Sequence, residues 1–141
     1  MFKTIAFITF SILGVLSLAC GSGSTSTNAG KPIKSGPAGN NLTVTISNPD
    51  GVLRNGDQTF TVTFADASGK PVDVGAASLN FFMPAMGSMS AMNNPAALTT
   101  TGTPGVYSGK ADIEMAGEWQ AQIAYDGPAG KGKATLPVTA Q

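Results

Sequence analysis

The sequence predicts an all-β fold: an immunoglobulin-like β-sandwich of about seven strands, preceded by a signal peptide and a disordered tether. Three observations predict it. From Leu42 onward, apolar residues recur with a period of two. Turn residues interrupt that alternation at short intervals. No stretch of helix length carries a 3.6-residue apolar period. Composition agrees, with 18 Gly, 9 Pro and only 11% charged residues in 141. That length fits one domain.

The N-terminus comes first. Residues 1–19 read MFKTIAFITFSILGVLSLA. Lys3 supplies a positive start, and Ile5 to Leu18 form an apolar stretch too short for an ordinary spanning helix. Small Ala19 precedes Cys20. This is the pattern of a secretory signal. The ending Leu16-Ser17-Leu18-Ala19-Cys20 resembles a bacterial lipobox, which implies diacylglycerol attachment to Cys20. Ser17 departs from the Leu usual at that place, and the alternative is an ordinary signal followed by a chance cysteine. Gly21 is not the Asp of an inner-membrane retention signal. In a diderm bacterium the expected address is therefore the periplasmic face of the outer membrane.

Residues 20–41 comprise Cys20 and a Gly/Ser/Thr-rich run, GSGSTSTNAGKPIKSGPAGNN, with too little apolar surface for a core. The expectation is a flexible tether with an r.m.s. reach of roughly 25 Å. The domain proper is expected over residues 42–141.

The strands follow in order. Leu42, Val44 and Ile46 alternate with Thr43, Thr45 and Ser47 before Asn48-Pro49-Asp50-Gly51 breaks the run. Phe60, Val62 and Phe64 alternate with threonines up to the Ser68-Gly69-Lys70-Pro71 turn. Leu79 to Met83 is a short apolar run ending at Pro84, and Leu98 to Thr101 is a shorter candidate. Tyr107, Ala111, Ile113 and Met115 share one parity, then Ala116-Gly117 turns the chain. Trp119, Ala121, Ile123 and Tyr125 share the next. Lys133 to Val138 closes the domain, with Pro137 marking an edge or strand end.

Composition excludes several functions. There is no histidine, so there is no imidazole base for a hydrolytic triad and no imidazole metal ligand. The single cysteine cannot form an intrachain disulfide or a cysteine-rich zinc site. A formal net charge of zero does not fit a nucleic-acid partner. No catalytic constellation is present, and the chain is not expected to be an enzyme.

The chemical anomaly is methionine. Of six methionines, Met1 lies in the leader, and Met83, Met86, Met89 and Met92 recur every third residue. That period suits a polyproline-II or 3₁₀-like loop with the sulfurs along one side. Thioether sulfur is soft and selects Cu(I) over Zn(II), Ca(II) or Mg(II). Met86, Met89 and Met92 are the primary candidate ligands, Met83 the next, and Met115 a further one if its strand ends at the same pole of the sandwich. Trp119 would then offer an indole face as a cation–π partner or shield. The competing reading is that methionine fills irregular apolar gaps or makes an adaptable protein-contact surface. On that reading Met83 and Met115 belong to the core, and the loop docks a partner in a cell-envelope complex.

Three short elements carry a family likeness: Met83-Pro84-Ala85-Met86-Gly87, Gly105-Val106-Tyr107 and Met115-Ala116-Gly117-Glu118-Trp119. With them the chain resembles the YtkA-like/FixH-like group of exported bacterial domains. The resemblance implies an immunoglobulin-like sandwich and a setting of copper handling, with a copper-handling or efflux protein as partner beside the membrane. Members of the group often carry a histidine shortly after the MPxM element, where this chain has Ser88. A mixed His/Met site is therefore not expected.

Overall fold

The computed structural model describes residues 30–141. The expected signal peptide, Cys20 and the tether through residue 29 lie outside the described residues. The strands are β1 (Lys31–Gly39), β2 (Leu42–Asn48), β3 (Gly56–Ala65), β4 (Ala76–Met83), β5 (Met92–Thr100), β6 (Val106–Ile113), β7 (Gly117–Gly127) and β8 (Gly130–Ala140). Among the described residues there is no helix, so none long and apolar enough to cross a membrane.

All the ladders between strands are antiparallel, in the order β1-β2-β3-β6-β5-β4-β7-β8. Strand β5 joins the two layers. Its first half, Met92–Ala96, pairs with β4, and Ala97–Thr100 pairs with β6. The two end strands, β1 and β8, lie against each other, so the sandwich approaches a barrel.

The period-two residues face inward as expected. Leu42, Val44 and Ile46 of β2, Phe60, Val62 and Phe64 of β3, and Trp119, Ala121, Ile123 and Tyr125 of β7 are buried. Phe60 meets Phe81 edge-on, with ring centroids 5.7 Å apart. Phe64 meets Tyr107 and Tyr125 in the same manner at 5.9 and 5.4 Å. Burying each such large side chain contributes roughly 1.5–3 kcal/mol, and edge-to-face pairing adds about 0.5–1.5 kcal/mol.

Two expectations are corrected. The segment Lys31–Gly39, read as tether, is a strand paired with β2, so eight strands replace about seven and the domain begins near residue 30 rather than 42. The edge position explains how Pro32 and Pro37 are accommodated: β1 has a ladder on one side only, and its register shifts beside both prolines. Ala38 is wholly buried and fastens the strand to the core. The second correction is that β5 starts at Met92, six residues before Leu98. Pro95 sits in the half of β5 that pairs with β4 alone. There the Asn94 side-chain amide donates to the Asp112 carbonyl, bridging to β6 where the β5–β6 ladder has ended.

Strand direction sorts the connections to two ends. The registers Lys31↔Asn48, Gly56↔Ile113, Met83↔Met92 and Gly117↔Ala140 place five features at one end. These are the start of β1, the 49–55 segment, the β4–β5 hairpin, the β6–β7 connection and the end of β8. We call this the methionine pole. Gly39–Leu42, the 66–75 segment, the 101–105 turn and the β7–β8 turn lie at the other, the tyrosine pole.

Candidate functional site

The spacing of the four clustered methionines is that of a hairpin. Met83 opposes Met92 at the mouth of the β4–β5 connection, and Met86 opposes Met89 at its tip. The four are therefore two cross-strand rungs, symmetric about Gly87-Ser88. The expected polyproline-II or 3₁₀-like loop is corrected accordingly. The Met86 amide donates to the Met89 carbonyl at 3.2 Å, and the Met89 amide donates to the Met86 carbonyl at 2.8 Å. Gly87 takes φ +56 at the first central position, which glycine adopts without strain and which a two-residue hairpin turn uses.

Pairing directly across an antiparallel rung sets two side chains on one face with Cβ atoms about 4.5–5.5 Å apart. Met86 and Met89 are brought together in this way. They are the exposed large hydrophobic side chains among the described residues, at 57% and 39% exposure. Met83 is 1% exposed and belongs to the core. Met92 is half-buried and packs against that core. The order of the candidates thus follows depth: Met86 and Met89 open, Met92 partly covered, Met83 enclosed.

Met115 lies in the β6–β7 connection, half-buried at the same pole, as the sequence argument from strand direction expects. Its backbone carbonyl accepts a hydrogen bond from Trp119 Nε1 at 3.0 Å. That bond closes the turn and spends the indole's one donor. Gly117, with φ +141, lets the chain turn close to Met83: a Cβ there would stand 3.1 Å from Met83 Cε. The Met115-Ala116-Gly117-Glu118-Trp119 element therefore packs against the base of the methionine hairpin. Trp119 is 1% exposed and forms a wall, not an open platform. With Met86, Pro84, Lys34 and Glu118 it lines a shallow depression of about 340 Å³. Among the described residues, no group of three or more cysteine or acidic side chains is placed to hold a metal ion.

Nothing in the sequence fragments the methionine set as the fold does, but the Gly87-Ser88 pair between two like residues is a hairpin signal. Period alone conceals it. In the 49–55 segment at the same pole, Asp50, which accepts a hydrogen bond from Arg54, is held below the ordinary carboxylate value chiefly by that bond.

No curated protein and no solved structure matches the chain. The YtkA-like family model matches residues 38–124, which run from the end of β1 through most of β7 and include the hairpin, the Gly105-Val106-Tyr107 element and Trp119. That match covers well over half of the chain: it belongs to the YtkA-like family.

Proposed function

We propose that this domain is a membrane-anchored, exported binding module that takes Cu(I) on the Met86–Met89 rung and hands it to a partner. The observation that carries the reading is the rung itself: two exposed thioethers, fixed on one face by a two-residue turn. Thioethers need no deprotonation, so a cation can be accepted without releasing a proton. Met92 and Met115 stand at the same pole as third donors for a trigonal Cu(I) centre. Met83 supports the hairpin from beneath, and Trp119 excludes water on the β7 side. Cys20 would hold the module at the membrane, on the periplasmic side.

A competition titration tests this. The protein should draw Cu(I) from a chromophoric chelator. The Met86→Leu/Met89→Leu pair, which keeps apolar volume and loses the soft donors, should weaken binding at least about tenfold, or about 1.4 kcal/mol. Met83→Leu should leave it nearly unchanged. Chelator occupancy unaltered by the wild-type protein would defeat the proposal.

The exposure of Met86 and Met89 also favours a second reading, an apolar contact surface for a protein of the cell envelope. On that reading the same Leu pair retains function.

A further inference from the structure

The chain enters the fold at the methionine pole. Gly30 precedes Lys31, which pairs with Asn48 beside the β4–β5 and β6–β7 connections. Ten residue steps separate Cys20 from Gly30. A chain of that Gly/Ser/Thr composition has an r.m.s. reach of about 17 Å and a full extension of about 35 Å. Strand β1, nine residues long, runs about 30 Å toward the tyrosine pole. For the tyrosine pole to face the bilayer, the segment after Cys20 would have to run the height of the domain, close to its full extension. Ten residue steps reach from a bilayer to the methionine pole without that extension.

The charge around that pole bears on what it meets. Asp50, Asp57, Asp112, Glu114 and Glu118 are all exposed there. Lys31, Lys34, Arg54 and Lys110 are their basic counterparts at the same end; Arg54 is paired to Asp50, and Lys110 lies beside Asp57 and Asp112. Five acidic groups against four basic ones leave a small acidic excess. An anionic lipid surface repels such a frame, whereas a basic protein surface is attracted to it.

We infer that the methionine hairpin is presented to the membrane, and that the partner it fits is a membrane-embedded protein with a basic face, not the lipid and not a protein diffusing away from the bilayer. The inference rests on the anchor at Cys20 given under the proposed function. It does not require that the cargo be copper, because the polarity of β1 and the acidic frame are independent of the ligand.

The lipidated full chain in phosphatidylcholine nanodiscs with a headgroup spin label provides the test. Paramagnetic broadening should remove the Met86 and Met89 methyl signals and spare those of Ala67 and Ala129 at the tyrosine pole. Doubling the segment between Cys20 and Gly30 with Gly/Ser residues should erase that contrast. Equal or greater loss at Ala67 and Ala129 overturns the orientation while leaving the anchor intact. A protein mass without diacylglycerol at Cys20 overturns the anchor, and the orientation with it. Replacing part of the phosphatidylcholine by phosphatidylglycerol should leave the broadening at Met86 and Met89 unchanged or reduce it. An increase would make lipid headgroups the occupant and overturn the protein partner.

Discussion

The two ends of the sandwich treat their large side chains in opposite ways. At the tyrosine pole every big residue is tied down. Tyr125 Oη donates to the Ala38 carbonyl at 2.9 Å and accepts from Asn40 Nδ2 at 3.1 Å, stitching β7 to β1. Tyr107 Oη donates to the Gly75 carbonyl at 2.6 Å, and Phe64 packs edge-on against both rings. At the methionine pole Trp119 and Met83 are as deeply buried, yet Met86 and Met89 project beyond them into solvent. One end spends its side chains on closing the fold. The other builds a closed base and leaves two polarizable thioethers on top, and leaving two large apolar groups in water contributes nothing to stability. That contrast assigns stability to one pole and leaves the outer part of the other free for the binding proposed above.

The largest effect that would sharpen the comparison is expected at the boundary between base and tip. Trp119→Ala removes a fully buried ring and the bond to the Met115 carbonyl, and should destabilise the domain by about 3–5 kcal/mol in urea unfolding. If it unfolds at the wild-type midpoint, the base of the methionine pole is not structural. Tyr125→Phe should cost about 1–3 kcal/mol, because the Ala38 carbonyl loses its tyrosine donor and Asn40 loses an acceptor. Hydrogen exchange should rise first in β1, while Cu(I) affinity is retained. A loss of Cu(I) binding with a folded Tyr125→Phe variant would break the division of labour between the poles. The Met86→Leu/Met89→Leu pair is at the other extreme, with stability expected within about 0.5 kcal/mol of wild type and Cu(I) binding weakened at least about tenfold.

The smallest expected effect is that of pH near neutrality. Burial, with a smaller contribution from Asp73, raises the Tyr107 hydroxyl above its ordinary value. The stability it contributes is present below about pH 10, the unfolded value, and is lost as pH rises through the raised one. Asp66, accepting from the Ser68 hydroxyl and from the Ser68 and Lys70 amides, is lowered, as is Asp50. Their contributions are present above the ordinary carboxylate value and are lost as pH falls through the lowered ones. With no histidine in the chain, thermal stability should be flat between those limits. Cu(I) affinity should be flat there as well. A tenfold change in affinity across pH 5.5–7.5 would point to a protonating ligand and away from thioethers.

The sequence carries the strands whose inner faces are uniformly apolar. Strands β2, β3 and β7 are legible because their buried residues alternate with threonine, glutamine or other polar ones. Strand β1 is not, since Pro32, Gly36, Pro37 and Gly39 read as linker and Ala38 is the one residue of the strand that is fully buried. The first half of β5 is hidden for a related reason: Asn93-Asn94-Pro95 lacks β character, and only its pairing with Phe82, Phe81 and Asn80 makes it a strand. In the site, residue identity was readable and geometry was not. A repeat of three and a pair of rungs about a two-residue turn place methionine at the same four positions. Only the Gly87-Ser88 turn separates them, and it sends Met83 into the core while leaving Met86 and Met89 outside.

Copper K-edge X-ray absorption of the Cu(I)-loaded protein tests the central claim most directly. The account requires a first shell of sulfur scatterers in the wild-type protein and their loss in the Met86→Leu/Met89→Leu variant, with the Met83→Leu spectrum unchanged. A first shell of oxygen or nitrogen alone, or a sulfur shell that survives in the double variant, would contradict it.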